Sequence, residues 1–167
     1  MDSDAKKAVL RMIPYGIYVL TADDSQGNVA AATVNWVTQS AFAPPLVVLG
    51  VKADSGAYAV IKSTKTFALN MLGKDAKGLA FTFFKPAQVA DGKLSGQSFR
   101  PGATGAPLLD AAIGAVECKV KTIIEEGDHH IVVGEVIAAH LPKPIEGRPD
   151  NAILEMKDLG DTVYYGG

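Results

Sequence analysis

The stretch TVNWVTQSAFAPPLVVLGV, residues 33–51, has two different halves. Its second half, from Leu46 onwards, is an apolar and β-branched run that predicts a buried strand. Its first half carries uncharged hydrogen-bonding side chains around one indole: Asn35, Trp36, Thr38, Gln39 and Ser40. Core strands rarely carry so many polar groups in a row. This half is therefore either a solvated loop or the wall of a site for a polar ligand.

Predicted strands surround this stretch on both sides. β-branched and aromatic runs predict strands over 16–22, 29–35, 46–52 and 66–72. The last third predicts a long hairpin, with strands over 113–126 and 130–141 and a turn at Gly127 and Asp128. Helical patterns are fewer and cover 2–13, with Ser3 or Asp4 as the cap, 55–64, with Ser55 as the cap, and 74–84.

The predicted strands outnumber the predicted helices, and several are joined by tight turns, which indicates a mainly β fold. We expect a mainly β, antiparallel barrel with accessory helices, and a sandwich is the alternative. The length of 167 residues predicts one domain over 1–167. Residues 85–110 are rich in Gly and Pro and resist assignment. A loop of that length is usually functional or lies across a partner subunit.

Composition and charge exclude several classes of function. A net charge of −2 with scattered Lys and Arg offers no basic surface for nucleic acid. No apolar run reaches the roughly 20 residues that a membrane-spanning helix needs, so we expect no membrane insertion. The first residues, MDSDAKKAVLRMI, lack the pattern of a signal peptide. We therefore expect a cytoplasmic protein.

The cysteine and the paired histidines have simple structural explanations. The single cysteine, Cys118, shares the apolar face of a strand with Val116 and Val120, so we expect a small buried side chain and not a nucleophile. His129 and His130 are neighbours on a strand and face opposite sides. They do not readily ligate one ion, so we expect no metal site, while a role for a single histidine stays open.

The polar half of the opening stretch has the groups that a flat, phosphorylated ligand needs. Two prolines, the buried strand and a helix capped by Ser55 follow it, so hydroxyls, amides and free backbone N–H groups are expected close together. A phosphate prefers hydroxyls, a helix N-terminus and a lysine. A heteroaromatic ring prefers amide donors at its edge and an apolar wall against its face.

Four strings of the sequence resemble the flavin reductase family, whose members have an FMN-binding split barrel. They are MIPYGIYVLTA (12–22), TVNWVTQSAFAPPLVVLGV (33–51), STKTFALNML (63–72) and GDHHIVVGEV (127–136), in the order and at the spacing of the family. The resemblance covers almost the whole chain. It implies an antiparallel split β-barrel, bound FMN and a homodimer with the flavin near the interface.

The same resemblance nominates the residues of the site. The segment before the prolines implies flavin contacts from Thr33, Asn35, Trp36, Thr38, Gln39 and Ser40. The segment 52–58 resembles the one that closes over the ribityl phosphate and adds Lys52, Ser55 and Tyr58. Phe84 and Lys85 resemble an aromatic and basic pair that supports this phosphate, and His129 resembles a residue that positions the nicotinamide. The family often has Ser where this chain has Trp36, which leaves open which atoms meet the ring and which the phosphate.

The function that the resemblance implies is hydride transfer from NADH or NADPH to bound FMN, and on to an acceptor such as a monooxygenase. The sequence does not distinguish NADH from NADPH. Two alternatives stay open. One is an electron-transfer flavoprotein that holds FMN and exchanges electrons with an iron protein. The other is a split-barrel protein that binds haem or pyridoxal phosphate.

Overall fold

The computed structural model describes residues 1–167, and strands dominate it. In chain order they are β1 (Tyr18–Asp23), β2 (Val29–Val34), β3 (Val37–Ala41), β4 (Leu46–Lys52), β5 (Thr66–Met71), β6 (Val89–Ala90), β7 (Lys93–Leu94), β8 (Phe99–Pro101), β9 (Pro107–Leu109), β10 (Gly114–Ile124) and β11 (His129–His140). The helices are α1 (Ser3–Leu10), α2 (Gly56–Thr64), α3 (Lys77–Thr82) and α4 (Pro149–Ala152), with a 3-10 turn over Met156–Leu159.

Seven strands form one antiparallel sheet in the order β2-β1-β5-β10-β11-β4-β3. The sheet curls into a half-barrel, so the mainly β, split-barrel prediction is confirmed. The β10/β11 hairpin lies near its centre and carries register shifts at Glu117/Cys118 and Val120/Thr122. Such irregularities increase the local twist of a strand pair. β2 and β3 are the two edges of the sheet.

Each face of the sheet buries its own apolar cluster, because successive side chains of a strand point to opposite sides. Leu20 belongs to the cluster that includes Ile61 of α2 and Phe67 of β5. Its neighbour Val19 belongs to the cluster that includes Phe83, just after α3, and Leu154. All six side chains are at most 2% exposed. Burial of each such side chain contributes about 1.5–3 kcal/mol, so α2 and α3 are held by packing on opposite faces.

The helices follow the predictions with shorter bounds. The N-cap of α1 is Asp2 and not, as was expected, Ser3 or Asp4. Asp2 Oδ1 accepts the N–H of Asp4 at 3.0 Å. Ser55 caps α2 as predicted, since its Oγ accepts the N–H of Tyr58 at 3.1 Å. None of the helices has the length and apolar content needed to cross a membrane.

Two regions differ from the sequence expectations. The polar residues after Asn35 form β3, a strand that the sequence pattern does not predict because its side chains do not alternate between apolar and polar. β3 pairs only with β4 and is an edge strand of the sheet, so its side chains do not have to be apolar. Residues 85–110 are not one long loop, because they contain the β6/β7 and β8/β9 hairpins. Buried Leu94 and Leu109 fix this segment to the protein's own core.

Candidate functional site

The junction between β2 and β3 brings three distant parts of the chain together around Trp36. The indole lies against Gly50 of β4, where a Cβ would be only 3.1 Å from Trp36 Cε3. The His129 ring at the start of β11 meets the indole edge-on, with centroids 4.6 Å apart. The Tyr165 ring packs at 5.4 Å. We refer to Asn35, Trp36, Asp128, His129 and Tyr165 as the Trp36 cluster.

Hydrogen bonds fix the tautomer of His129. Its Nδ1–H donates to Asp128 Oδ1 at 2.9 Å, because a carboxylate can only accept, and its Nε2 accepts from the Tyr165 hydroxyl at 2.7 Å. The hydrogen bond from His129 holds the pKa of Asp128 below its ordinary value. The His129 side chain is 13% exposed while that of Asp128 is 94% exposed. His129 therefore presents Nε2 as an acceptor to whatever lies beside the indole.

The polar groups around the indole are not all satisfied. Asn35 is 4% exposed, and its Nδ2–H donates to the carbonyl oxygen of Tyr165 at 3.0 Å. The Nε1–H of Trp36 is buried and has no acceptor. An unpaired buried donor costs about 1–3 kcal/mol, and such groups are rare in folded proteins. The indole N–H therefore marks a place where a ligand acceptor fits.

A candidate anion site lies next to the cluster at the start of α2. Lys52 is paired in register with His129 across β4 and β11. Two residues after Asp54, helix α2 begins with backbone N–H groups that have no intrahelical acceptor. Lys52 Nζ lies 3.0 Å from Asp54, and both side chains are mostly exposed. An incoming phosphate must take Lys52 away from Asp54, which exposed side chains allow at little cost.

Thr33, Phe84 and Lys85 gather at the end of α3. The Thr33 hydroxyl donates to the carbonyl of Ala80 at 2.7 Å, and its N–H donates to the carbonyl of Phe83 at 3.0 Å. Phe84 is 50% exposed. Lys85 is exposed and forms neither a salt bridge nor a side-chain hydrogen bond. Thr33 thus joins β2 to α3, while Phe84 and Lys85 remain available to a ligand.

The remaining predicted residues lie outside the Trp36 cluster. Thr38, Gln39 and Ser40 are exposed on the edge strand β3. Thr38 and Gln39 line a different, mostly apolar cavity of about 440 Å³. Tyr58 is buried, and its hydroxyl donates to Glu125 at 2.9 Å and accepts from His130 Nδ1 at 2.7 Å. The structure therefore brings Asn35, Trp36, Lys52, Ser55 and His129 together more closely than the other nominated residues.

Tyr165 is a member of the cluster that the sequence analysis did not nominate. By itself, the string VYYGG over residues 163–167 predicts either a segment that reaches a neighbouring subunit or a frayed one. The structure places it instead on the protein's own Asn35 and His129. Burial raises the pKa of Tyr165, and the nearby charge of Lys52 opposes that rise. No local sequence signal predicts this contact, because 130 positions separate Asn35 from Tyr165.

Comparison with known proteins identifies the family. Residues 10–162 match the family described as flavin reductase like domain. The chain belongs to this flavin reductase-like family. A flavin reductase of Pseudomonas putida is 29% identical over 136 residues, which cover 81% of this chain and 78% of that relative. The structure of the styrene monooxygenase flavin reductase from Pseudomonas putida S12 superposes with a TM-score of 0.72 and 27% identity, covering 85% of this chain and 89% of that one.

Some flavin reductase-like relatives are much longer than this chain. A relative from Rhizobium meliloti (strain 1021) is 32% identical over 123 residues, which are 74% of this chain. The same residues make up 39% of that relative, so the chain spans well under half of its length. The family match therefore describes the flavin reductase-like part that the two proteins share.

Proposed function

We propose that the protein is an NAD(P)H-dependent flavin reductase, a single domain over 1–167 that binds FMN and passes the reducing equivalents to an acceptor. The observation that carries the proposal is the Trp36 cluster within a flavin reductase-like fold. There a buried donor without an acceptor, a histidine acceptor and the start of a helix lie side by side. These are the groups that a phosphorylated heteroaromatic cofactor and a carboxamide-bearing ring need.

The names of further relatives support the use of a nicotinamide donor and a flavin. A protein of Kitasatospora aureofaciens that is 28% identical over 146 residues is named flavin reductase (NADH). A structure from Streptomyces globisporus with 29% identity and a TM-score of 0.68 is an NADH:FAD oxidoreductase. These names support NADH as the donor. The choice of FMN over FAD rests on the resemblance of the four sequence strings.

The residues of this chain fit a bound FMN. Lys52 and the first N–H groups of α2, with Ser55 as the cap, would hold the phosphate. Asn35, once released from the carbonyl of Tyr165, would donate to a carbonyl group at the ring edge. Lys85 carries a free charge on the side of α3 and would add to the phosphate contacts. When bound, the flavin supplies the redox chemistry by accepting a hydride from the reduced nicotinamide.

The chain's own residues orient the reaction and do not exchange protons in the hydride step. Asp128 holds the His129 ring with Nε2 as the accepting nitrogen, and once the Tyr165 hydroxyl has left it, Nε2 would bind the amide N–H of a nicotinamide. A donor such as Asn35 beside Trp36 would stabilise the negative charge that a flavin ring gains on reduction. The half-buried position of Trp36 keeps one side of the site apolar. We assign His129 a positioning role.

Further observations support a proposal for the acceptor and for the assembly state. The reductase component of a 4-nitrophenol 4-monooxygenase from Rhodococcus opacus is 31% identical over 139 residues. We propose that this protein likewise supplies reduced flavin to an oxygenase partner.

We also propose a homodimer, because the edge strand β3 is unpaired on one side and Phe42 beside it is 92% exposed. An uncovered edge and an exposed aromatic side chain favour association with a second copy.

A titration of FMN into the flavin-free protein tests the site. Trp36 is the only tryptophan, so its emission reports directly on a ligand in the Trp36 cluster. We expect saturable quenching, and a dissociation constant about 10-fold higher for Asn35→Ala, which removes the proposed hydrogen bond from Asn35 to the flavin. Asn151→Ala is the matched control, because Asn151 is exposed and its amide makes no hydrogen bond. Quenching that does not saturate, or equal affinity in both variants, would contradict the proposed site.

A further inference from the structure

The segment 163–167 occupies the polar groups of the Trp36 cluster. The carbonyl of Tyr165 accepts from Asn35 Nδ2 at 3.0 Å, and its hydroxyl donates to His129 Nε2 at 2.7 Å. Gly166 lies beside the indole, where an added Cβ would be 3.5 Å from Trp36 Nε1. The segment thus covers the side of the indole and the histidine nitrogen to which a ligand would bind.

This cover is held by few contacts. Arg11 Nε–H donates to the carbonyl of Gly166 at 3.2 Å, and the Arg11 guanidinium lies 4.1 Å from the centre of the Tyr164 ring. Residues 163–167 form no helix or strand, and Tyr164 and Tyr165 are 55% and 47% exposed. Segments with so few buried contacts open at low free-energy cost.

The cover also leaves one polar group unsatisfied. Trp36 Nε1–H is buried under the segment without an acceptor, while His129 Nε2 receives the hydroxyl of Tyr165. A primary carboxamide has both an N–H donor for His129 Nε2 and a carbonyl acceptor for Trp36 Nε1–H. A ligand with this group therefore satisfies both positions, whereas the segment satisfies one.

We propose that the segment 163–167 is an internal competitor for the nicotinamide ring, and that Trp36 Nε1–H is the donor that recognises the carboxamide once Tyr165 has moved away. This inference rests on the proposed reductase function. Only the molecules in which the segment has moved away can then bind NADH. The apparent dissociation constant for NADH is the intrinsic one divided by the fraction of such molecules. Loss of the contact between Tyr165 and His129 raises the fraction and strengthens NADH binding.

Steady-state NADH oxidation at saturating FMN tests the competition. Tyr165→Phe removes only the hydroxyl that bonds His129, and we expect the KM for NADH to fall about 3- to 10-fold, with kcat within a factor of about two. Tyr164→Phe is the matched control, because its hydroxyl has no partner and its ring stays over Arg11. Trp36→Phe keeps an aromatic ring, and its KM should rise about 5-fold.

A second readout needs no catalysis. In the protein without ligands, acrylamide should quench the emission of Trp36 more strongly after deletion of 163–167 than in the intact chain, because the segment shields the indole. Equal quenching in the intact and the shortened protein would contradict the claim that residues 163–167 shield Trp36. A KM that is unchanged or raised in Tyr165→Phe would overturn the competition, as would an unchanged KM in Trp36→Phe. If the intact protein binds FMN but oxidises no NADH, the proposed reductase function fails, whereas the quenching experiment still reports on the cover.

Discussion

The two ends of β11 carry the same pair of groups, a histidine and a carboxylate, in opposite surroundings. At one end, His140 Nε2–H donates to Glu117 at 2.7 Å, and the Glu117 side chain is fully buried. At the other end, His129 bonds Asp128, whose side chain is 94% exposed. Burial thus distinguishes two pairs that are made of the same chemical groups.

The buried end is saturated with donors. Glu117 also accepts from the N–H of Ala103 at 3.1 Å and from the N–H and hydroxyl of Thr104, each at 2.7 Å. A Cβ at Gly102 would lie 2.4 Å from Glu117 Oε2, so the loop can close on the carboxylate only with glycine there. This end has no free polar group for a ligand, and its role is to fasten residues 102–106 to β10.

The difference between the ends teaches how a structural pair is told from a ligand site. The Glu117 carboxylate is buried, and each of its oxygens accepts two hydrogen bonds, as a buried charge in a stable protein interior requires. At Trp36 a donor is left without an acceptor, and the nearest histidine bonds Tyr165, an exposed residue outside any helix or strand. An incompletely satisfied polar cluster at the surface is the better candidate for function.

The largest expected effect is on stability at the buried end. Glu117→Gln places an amide N–H₂ against backbone donors and removes the charge that they bind, so the free energy of unfolding should fall by about 3 kcal/mol. Asp128→Asn is the matched change at the exposed end and should cost less than about 1 kcal/mol. Urea unfolding measures both, and equal losses would remove the distinction between the two ends.

The buried end should also carry a specific pH dependence. Burial alone would raise the pKa of Glu117, but the hydrogen bonds from Thr104, His140 and Ala103 outweigh it and hold the pKa below its ordinary value of 4.5. A carboxyl with a lowered pKa stabilises the fold above its unfolded pKa, and this stabilisation is lost as the pH falls through the folded value. The stability gap between the native protein and Glu117→Gln should therefore narrow below about pH 4.5.

A denaturation series over acidic pH values measures this gap at each point. Asp128→Asn serves as the control, because its carboxyl is exposed and contributes little to stability. A gap that stays constant down to the acid unfolding transition would show that the charge of Glu117 does not supply the stabilisation.

The smallest expected effect separates the two histidines by function. His129→Asn should raise the KM for NADH about 5-fold with little change in the affinity for FMN, since one hydrogen bond to the nicotinamide is lost. His140→Asn should leave the KM for NADH unchanged and lower the unfolding free energy, because the side-chain hydrogen bond of His140 is to Glu117 and not to the Trp36 cluster. Steady-state kinetics with both variants provides the measurement. An equal rise in KM would contradict the assignment of function to the exposed end.

Sequence patterns predicted most of the fold but only part of the candidate site. Strands such as β4 and helix α2 were readable because an apolar run or a Ser55 cap acts within a few residues. β3 was missed because an exposed edge strand needs no alternating pattern. Cys118 was predicted correctly as a buried side chain, and burial raises the pKa of its thiol to about 12.

The site depends on contacts between distant positions, which local patterns do not encode. Asn35 and His129 were nominated through the family resemblance, and the structure brings both to Trp36 and to the 163–167 segment. The contact of Tyr165 with His129 and the unpaired indole N–H required the assembled fold. Likewise, nothing in the sequence around Glu117 indicated that the loop from Gly102 would close on it.

The consumption of NADH by the purified protein in the presence of excess free FMN tests the central claim most directly. The reductase account predicts steady oxidation of many equivalents of NADH per protein, at a rate that saturates with FMN and is reduced in Asn35→Ala but not in Asn151→Ala. Consumption that stops after about one equivalent, with FMN still bound, would contradict it and favour an electron-transfer flavoprotein that trades electrons with an iron protein.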